Sequence, residues 1–298
     1  MLSMEMLHRV TAAEAGRTAE NLLRKTMGFS RAAIRRLKRF SGLYVNGETA
    51  YLIHRLIEGD QLAIHLGPDP VSSIRPEPLP LEILFEDPHL LVVNKPPGML
   101  THPLKHEATG TIANAVLYHY RKNNLELNFR PVSRLDRNTS GLLVVAKHAH
   151  AGFQLAKQLS VRELRREYLA VVHGRINEPG GVIDLPIGPS PGSIMKHCVD
   201  PGGRRVVTVF RVEKYFTGKT LVRLRLETGR THQIRVHLSH TGHPLVGDTL
   251  YGGRDEEIDR QALHCSLVKL KHPVSGAALC WEALLPEDMQ ALIHRAEK

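Results

Sequence analysis

Apolar and polar positions in the first quarter of the chain predict two short helices followed by a β-hairpin. Residues 14–27 are helix-like, and Ser30 is placed to cap a second helix. The pair Asn46-Gly47 between two short apolar runs is typical of a hairpin turn, and residues 61–66 read as one more strand. The second helix would turn three apolar residues inward: Ala33, Ile34 and Leu37.

From residue 81 onward, short apolar runs alternate with loops, and helical patterns are scattered. Residues 90–93, 142–146 and 168–172 are apolar runs, while residues 222–226 alternate between apolar and basic positions. This pattern predicts a large, mostly antiparallel sheet with helices beside it. The predicted fold class is α+β, with a small N-terminal domain followed by a large, mixed, mostly antiparallel sheet domain.

A proline-rich stretch separates the two patterns. Residues 67–80 contain repeated prolines, which cannot continue a helix or a central strand. We therefore predict a small domain over residues 1–66, a linker over 67–80 and a large domain over 81–298.

Composition and charge favour a cytoplasmic protein with an anionic partner. The chain has 298 residues, 42% of them hydrophobic, and a formal net charge of +10. Such an excess of positive charge favours nucleic acid ahead of acidic lipid. Three cysteines without a C-x-x-C pair indicate a reducing compartment. No apolar run resembles a signal peptide or a membrane span, so we expect no membrane partner, and we expect a monomer.

The second predicted helix carries an unusual basic face. No acidic residue lies between Lys25 and Phe40 to form the usual helical ion pairs. Taken alone, the basic residues of this helix are better explained as a solvated face than as a binding surface. On a chain with a net charge of +10, a phosphate-contacting surface is the better explanation of this unpaired basic face. The residues predicted to bind RNA are Arg31, Arg35, Lys38 and Arg39.

Three further residues are candidates for chemistry. Asp136 lies in a polar turn between Arg134 and Arg137, which would keep it ionised; the alternative is a salt-bridged surface turn. Tyr168 opens an apolar strand and is either an aromatic platform for a base or an ordinary core residue. Arg235 is either a partner for a carboxylate or a solvated helix-face arginine, on a helix that would begin at Thr231.

Other motifs do not support a metal or a cofactor. Residues 188–192 spell G-x-S-x-G, but the glycines and prolines after them leave little room for the helix that a serine elbow needs. Neither a P-loop nor a G-x-G-x-x-G motif is present. Four histidines lack the spacing and the additional ligands of a zinc site, which favours a structural or RNA-facing role: His232, His237, His240 and His243. We expect neither a metal nor a cofactor.

Two parts of the chain resemble known families. Ser30-Arg31 on the basic helix, residues 44–47 and Gly59-Asp60 resemble an S4-type RNA-binding domain. The larger part resembles the RluA-type family of pseudouridine synthases. Five blocks in order carry this likeness: residues 90–103, 134–142, 168–174, 229–252 and 261–273.

The resemblance implies that Asp136 is the catalytic aspartate, Tyr168 the ring packed against uracil and Arg235 the ionic partner of the aspartate. It also implies that Arg134 wedges into the RNA as the target nucleotide leaves the stack. Ser133 stands where the family often has histidine, which puts any contact of that histidine in doubt.

The implied function is isomerisation of specific uridines in structured ribosomal or transfer RNA to pseudouridine. A non-catalytic RNA-binding or RNA-folding protein on the same scaffold is the alternative, and an RNA glycosylase is a third possibility. The sequence leaves open the target uridine, the need for the small domain in site choice, and the atom that Asp136 attacks.

Overall fold

The computed structural model describes residues 5–67, 72–193, 195–254 and 256–297. Residues 68–71 of the predicted linker, and residues 1–4 of the predicted small domain, lie outside this range. In the described part, no helix is both long and apolar enough to cross a bilayer.

The N-terminal residues form a four-stranded antiparallel sheet with helices packed on it. The strands are β1 (Glu5–Arg9), β2 (Leu43–Val45), β3 (Glu48–Thr49) and β4 (Gln61–His65), in the order β1-β4-β2-β3. The helices are α1 (Ala19–Asn21), which continues as a π-helical turn (Leu22–Thr26), and α2 (Arg31–Arg39). A hydrophobic cluster centred on Leu22, Leu37 and Ile64 fills this sheet–helix layer and is separate from the other cores.

Local sequence signals explain most of these N-terminal elements. Ser30 Oγ accepts the Ala33 amide and caps α2 as predicted, and Asn46 and Gly47 have the positive φ angles of the hairpin turn. The predicted helix over 14–27 is wrong at its start, because α1 begins only at Ala19. The Glu14 carboxylate accepts the backbone amide and the hydroxyl of Thr11, and this local bonding holds the preceding residues in turns.

A nine-stranded sheet dominates the rest of the chain. Its order is β5-β6-β7-β14-β8-β13-β12-β9, with β15 also paired to β14. The strands are β5 (Glu82–Glu86), β6 (Leu90–Lys95), β7 (Ser140–Ala146), β8 (Arg165–His173), β9 (Gly180–Asp184), β12 (Val207–Phe216), β13 (Lys219–Leu226), β14 (Leu263–Lys271) and β15 (Ala278–Glu282). Within this sheet only β7 and β14 pair in parallel. The prediction of an α+β chain with a large, mostly antiparallel sheet is confirmed.

Shorter elements surround this sheet. A two-stranded ribbon joins β10 (Ile187–Pro189) to β11 (His197–Val199). The helices are α3 (Ile112–Lys122), α4 (Ala149–Ser160), α5 (Gln233–His240) and α6 (Glu287–Ala296), with a 3₁₀ turn over Thr249–Tyr251. Both faces of β6 and β7 are covered, so β7 is buried along its whole length. A covered central strand of this kind can hold the loop that enters it in a fixed position.

Candidate active site

The loop that carries Asp136 is fixed by hydrogen bonds from distant parts of the chain. Side chains from three segments donate to consecutive stretches of its backbone. The bonds run from Thr101 Oγ1 to the Leu135 carbonyl (2.9 Å), from Lys95 Nζ to the Arg137 carbonyl (2.8 Å) and from Arg260 Nη1 to the Asn138 carbonyl (3.0 Å). Because all three donors are buried, the loop is rigid although it lies outside a helix or strand.

Lys95 is the most unusual of these donors. Its side chain is fully buried at the end of β6, and its ammonium group also donates to the carbonyls of Pro96 (2.8 Å) and Met99 (2.7 Å). Burial lowers the pKa of Lys95 to about 7, while the nearby charge of Asp136 acts in the opposite direction. Lys95 therefore ties the end of β6 to the Asp136 loop.

Asp136 is the partly exposed end of a carboxylate–guanidinium–carboxylate chain. Arg235 Nη1, from α5, lies 3.4 Å from Asp136 Oδ2. The opposite edge of the same guanidinium is held by Asp248, with Nε at 2.7 Å from Oδ2 and Nη2 at 2.8 Å from Oδ1. The Asp248 side chain is 1% exposed and that of Asp136 27% exposed, so only Asp136 is accessible from outside.

The same chain fixes the charge of Arg235. Burial opposes the charged form, but the hydrogen bonds and charge of Asp248 and the charge of Asp136 outweigh it and raise the pKa of Arg235. The structure thus brings together Asp136 and Arg235, as predicted. Arg235 is buried rather than on a helix flank, because α5 begins at Gln233 and packs with nearly all of its side chains inward.

The arginines next to Asp136 in the sequence do not form its ion pairs, contrary to our prediction. Arg137 turns to Glu107, with Nη1 at 2.8 Å from Oε1. Arg134 is exposed, and within the described part of the chain its side chain makes no hydrogen bond or ion pair. Its position leaves Arg134 accessible to a ligand.

His232 and Tyr251 form a second wall beside Asp136. His232 Nε2 lies 3.9 Å from Asp136 Oδ2, and His232 Nδ1 lies 2.8 Å from the Tyr251 hydroxyl. His232 has a left-handed backbone (φ 54°) at the start of α5, and burial lowers its pKa. The guanidinium of Arg235 stacks over the Tyr251 ring at 4.9 Å. These aromatic groups shield Arg235 from water.

Tyr168 lies on β8, opposite an irregularity in β14. It pairs with Cys265, and the register then shifts by one residue, which leaves Ser266 as a β-bulge. Tyr168 is 3% exposed; burial raises its pKa, and the charge of Asp136 adds to this effect. Asp136 is therefore near enough to act electrostatically on the phenol.

Strands β7 and β14 approach each other closely where the Asp136 loop enters β7. Gly141 has φ 107°, and a Cβ there would lie 2.2 Å from the carbonyl oxygen of Cys265. Only glycine permits this contact between β7 and β14. It brings the Asp136 loop and Tyr168 to the same end of the sheet.

The four residues predicted to bind RNA lie on the exposed side of α2. Their side chains make no hydrogen bond or ion pair within the described ranges: Arg31, Arg35, Lys38 and Arg39. Among the described residues, no group of histidine, cysteine and acidic side chains is arranged to hold a metal ion.

Sequence reasoning assigned no role to Asp248 or Lys95, and to His232 only a structural or RNA-facing one. Asp248 and Lys95 lie within stretches that carry the family likeness, at Gly247-Asp248 and at Asn94-Lys95. Their burial was the missing signal, because a fully buried charge requires a partner.

Comparisons with known proteins agree with this geometry. A family model described as RNA pseudouridylate synthase matches residues 89–240. The uncharacterised RNA pseudouridine synthase YjbO of Bacillus subtilis (strain 168) is 43% identical over 269 residues, which are 90% of this chain and 95% of that protein. The ribosomal large subunit pseudouridine synthase D of Escherichia coli (strain K12) is 40% identical over 254 residues, 80% of this chain and 78% of that protein.

Solved structures show the same likeness. Human RNA pseudouridylate synthase domain containing 1 matches with a TM-score of 0.57 and 25% identity, over 76% of this chain and 97% of that one. Human RNA pseudouridylate synthase domain containing 4 has a TM-score of 0.59 at 23% identity, over 72% of this chain and 92% of that one, which shows the shared fold.

Proposed function

The chain belongs to the RNA pseudouridylate synthase family and is an RNA-modifying isomerase, and from this premise we propose that Asp136 is its catalytic carboxylate. One observation carries the proposal. Asp136 is the partly accessible end of a buried charge chain, on a loop that three distant side chains hold in place. Such preorganisation is what a reacting group requires.

In the isomerisation of uridine, the bonds and protons balance without a cofactor. The bond from N1 to C1′ of the ribose breaks, the base turns, and a bond from C5 to C1′ forms. N1 gains a proton, and C5 loses one. A carboxylate can take part by attacking the sugar or the base, or by removing the C5 proton. We propose that Arg235 orients Asp136 and that the Tyr168 ring packs against the uracil.

We propose that the RNA is held at two places. A stacked uridine is inaccessible, so the nucleotide must leave the stack, and we propose that exposed Arg134 occupies the space behind it. The four basic residues of α2, on an S4-like domain, would contact phosphates elsewhere on the RNA. The net charge of +10 supports an anionic partner of this kind.

Ribosomal RNA is the substrate class that we propose first. The support is the name of a relative at 40% identity, a ribosomal large subunit pseudouridine synthase. Transfer RNA is the second class to test. The alternative of a non-catalytic RNA-binding protein is not favoured, because the family and its relatives are synthases.

The test uses the full-length protein with unmodified ribosomal RNA and transfer RNA transcripts, followed by mapping of pseudouridine. We expect product at defined uridines with the wild type and none with Asp136→Asn. Asp184→Asn is the matched control, since this aspartate lies on β9 and pairs with exposed Arg205. Normal product formation by Asp136→Asn would refute the catalytic assignment.

The role of α2 is tested by removing its charges. Glutamine at the four α2 positions should weaken RNA binding and reduce the salt dependence of log Kd by about 0.7 for each phosphate that the variant no longer neutralises. A control removes four exposed charges that are already ion-paired: Arg205, Arg211, Lys214 and Lys271. Equal effects of the two sets would show that α2 has no specific role.

A further inference from the structure

Arg166 is a buried arginine that the proposed chemistry does not use. It is 6% exposed, and its Nε atom is buried without a hydrogen-bond partner. Within the described part of the chain, the Arg166 side chain forms no ion pair and no hydrogen bond. A guanidinium that is largely buried and has no partner destabilises the folded protein unless something else pairs with it.

Nearby acidic side chains are already engaged. Glu167, the next residue of β8, faces the other side of the strand and pairs with Arg223 at 3.4 Å. Glu227, just after β13, is held by Arg225 at 2.9 Å and by Arg162 at 3.4 Å. The unpaired charge of Arg166 is therefore not balanced by these carboxylates.

Arg166 lies beside the proposed catalytic residues. It is two residues before Tyr168 on the same strand, so both side chains point to the same face of β8. A Cβ on Gly229 would lie 3.4 Å from Arg166 Nη2, so the guanidinium reaches the loop that leads to His232. Its positive charge acts on Tyr168, where it counteracts the effect of burial on the pKa.

We propose that Arg166 binds a phosphodiester group of the RNA at the flipped uridine. An unpaired guanidinium favours an anionic ligand, and the phosphodiesters are the anionic groups of an RNA substrate. Arg166 adjoins the phenol that would pack against the base, and the phosphates of a nucleotide lie one ribose away from that base. This inference rests on the proposed function, because it places the uridine next to Tyr168.

The matched pair of variants is Arg166→Met and Arg165→Met. Both change an arginine of β8, but Arg165 is exposed on the opposite face. Methionine fills the site without charge. Removing an unpaired buried charge should leave the stability to denaturant unchanged or raise it, whereas removing a structural arginine would lower it. Stability therefore separates a ligand-binding role from a structural one.

Binding is measured with a short RNA that contains a uridine mapped as a substrate, in the Asp136→Asn background. We expect Arg166→Met to raise Kd about tenfold or more and to reduce the slope of log Kd against log salt by about 0.7. A methylphosphonate next to the uridine, which removes one phosphate charge, should weaken binding of the parent protein similarly. It should have little further effect on Arg166→Met, because both changes remove the same interaction.

Three results would overturn the proposal. They are an unchanged salt slope for Arg166→Met, loss of stability without loss of affinity, or methylphosphonate effects equal in both proteins. The last would be expected if Arg166 contacted a uracil carbonyl instead. Failure of the proposed function would look different, since wild-type protein would then form no pseudouridine in the RNA.

Discussion

The substitution Asp248→Asn tests whether Arg235 acts on Asp136 through a fixed orientation. Asp248 accepts two hydrogen bonds from Arg235, at 2.7 and 2.8 Å, and is almost completely buried. Asparagine has the same size but offers one acceptor oxygen and no charge. The guanidinium would lose one hydrogen bond and most of its counter-charge, while Asp136 would remain 3.4 Å away.

The expected magnitude follows from this geometry. Removing one partner of a buried ion pair costs about 3–5 kcal/mol, and we expect the lower end because Asp136 still faces Arg235. The guanidinium should then move toward Asp136. A displacement of about 1 Å at a reacting group can cost about 10²-fold in rate. We therefore expect kcat to fall about a hundredfold with little change in KM, since a side chain as buried as that of Asp248 is not accessible to RNA.

The assay is steady-state formation of pseudouridine in a mapped RNA, which gives kcat and KM, together with urea unfolding. The control is again Asp184→Asn, which breaks a two-oxygen contact with Arg205 on the surface and should change neither kcat nor stability appreciably. A variant with lower stability but wild-type kcat would show that Asp248 is only structural. A rise in KM with unchanged kcat would indicate that Arg235 binds the RNA and does not orient Asp136.

Two further predictions concern the sheet and the buried histidines. Gly141→Ala places a Cβ 2.2 Å from the Cys265 carbonyl oxygen, so we expect about 10²-fold lower activity in the same assay. The control is Gly276→Ala, which should keep full activity because Gly276 also has a positive φ but has open space around it. Burial lowers the pKa of His148 to about 3 and those of His150 and His264 to about 4. The unfolded chain binds these protons below about pH 6.5, whereas the folded protein does not. The free energy of unfolding should therefore be flat above pH 7 and fall by about 2 kcal/mol per histidine at pH 5. Equal urea midpoints at pH 7.5 and 5 would contradict this.

Local sequence signals predicted the elements whose hydrogen bonds are local. Ser30 caps α2 from three residues away, and Asn46 turns the hairpin within its own loop. The sequence predicts too early a start for α1, and a local hydrogen bond also explains this error. Glu14 suits a helix by propensity, but its carboxylate bonds to Thr11 and favours a turn.

Partner choice in the site could not be predicted from proximity along the chain. Proximity along the chain predicts that Asp136 pairs with Arg137, one residue away, yet Arg137 pairs with Glu107, thirty residues earlier. The partner that Asp136 has is Arg235, ninety-nine residues later, and the family likeness had implied it. Geometry decides such pairs, because a guanidinium must approach a carboxylate in its plane.

The buried arginines of the described chain differ in one respect that bears on function. Arg235 is held by Asp248, and Arg260 by Asp288 and three backbone carbonyls, so both are satisfied without a ligand. Such side chains orient their surroundings and are complete before RNA binds. Arg166 is equally buried but unpartnered. Because an unpaired buried charge is stabilised when an anion arrives, Arg166 is the arginine whose interactions should change most on binding RNA.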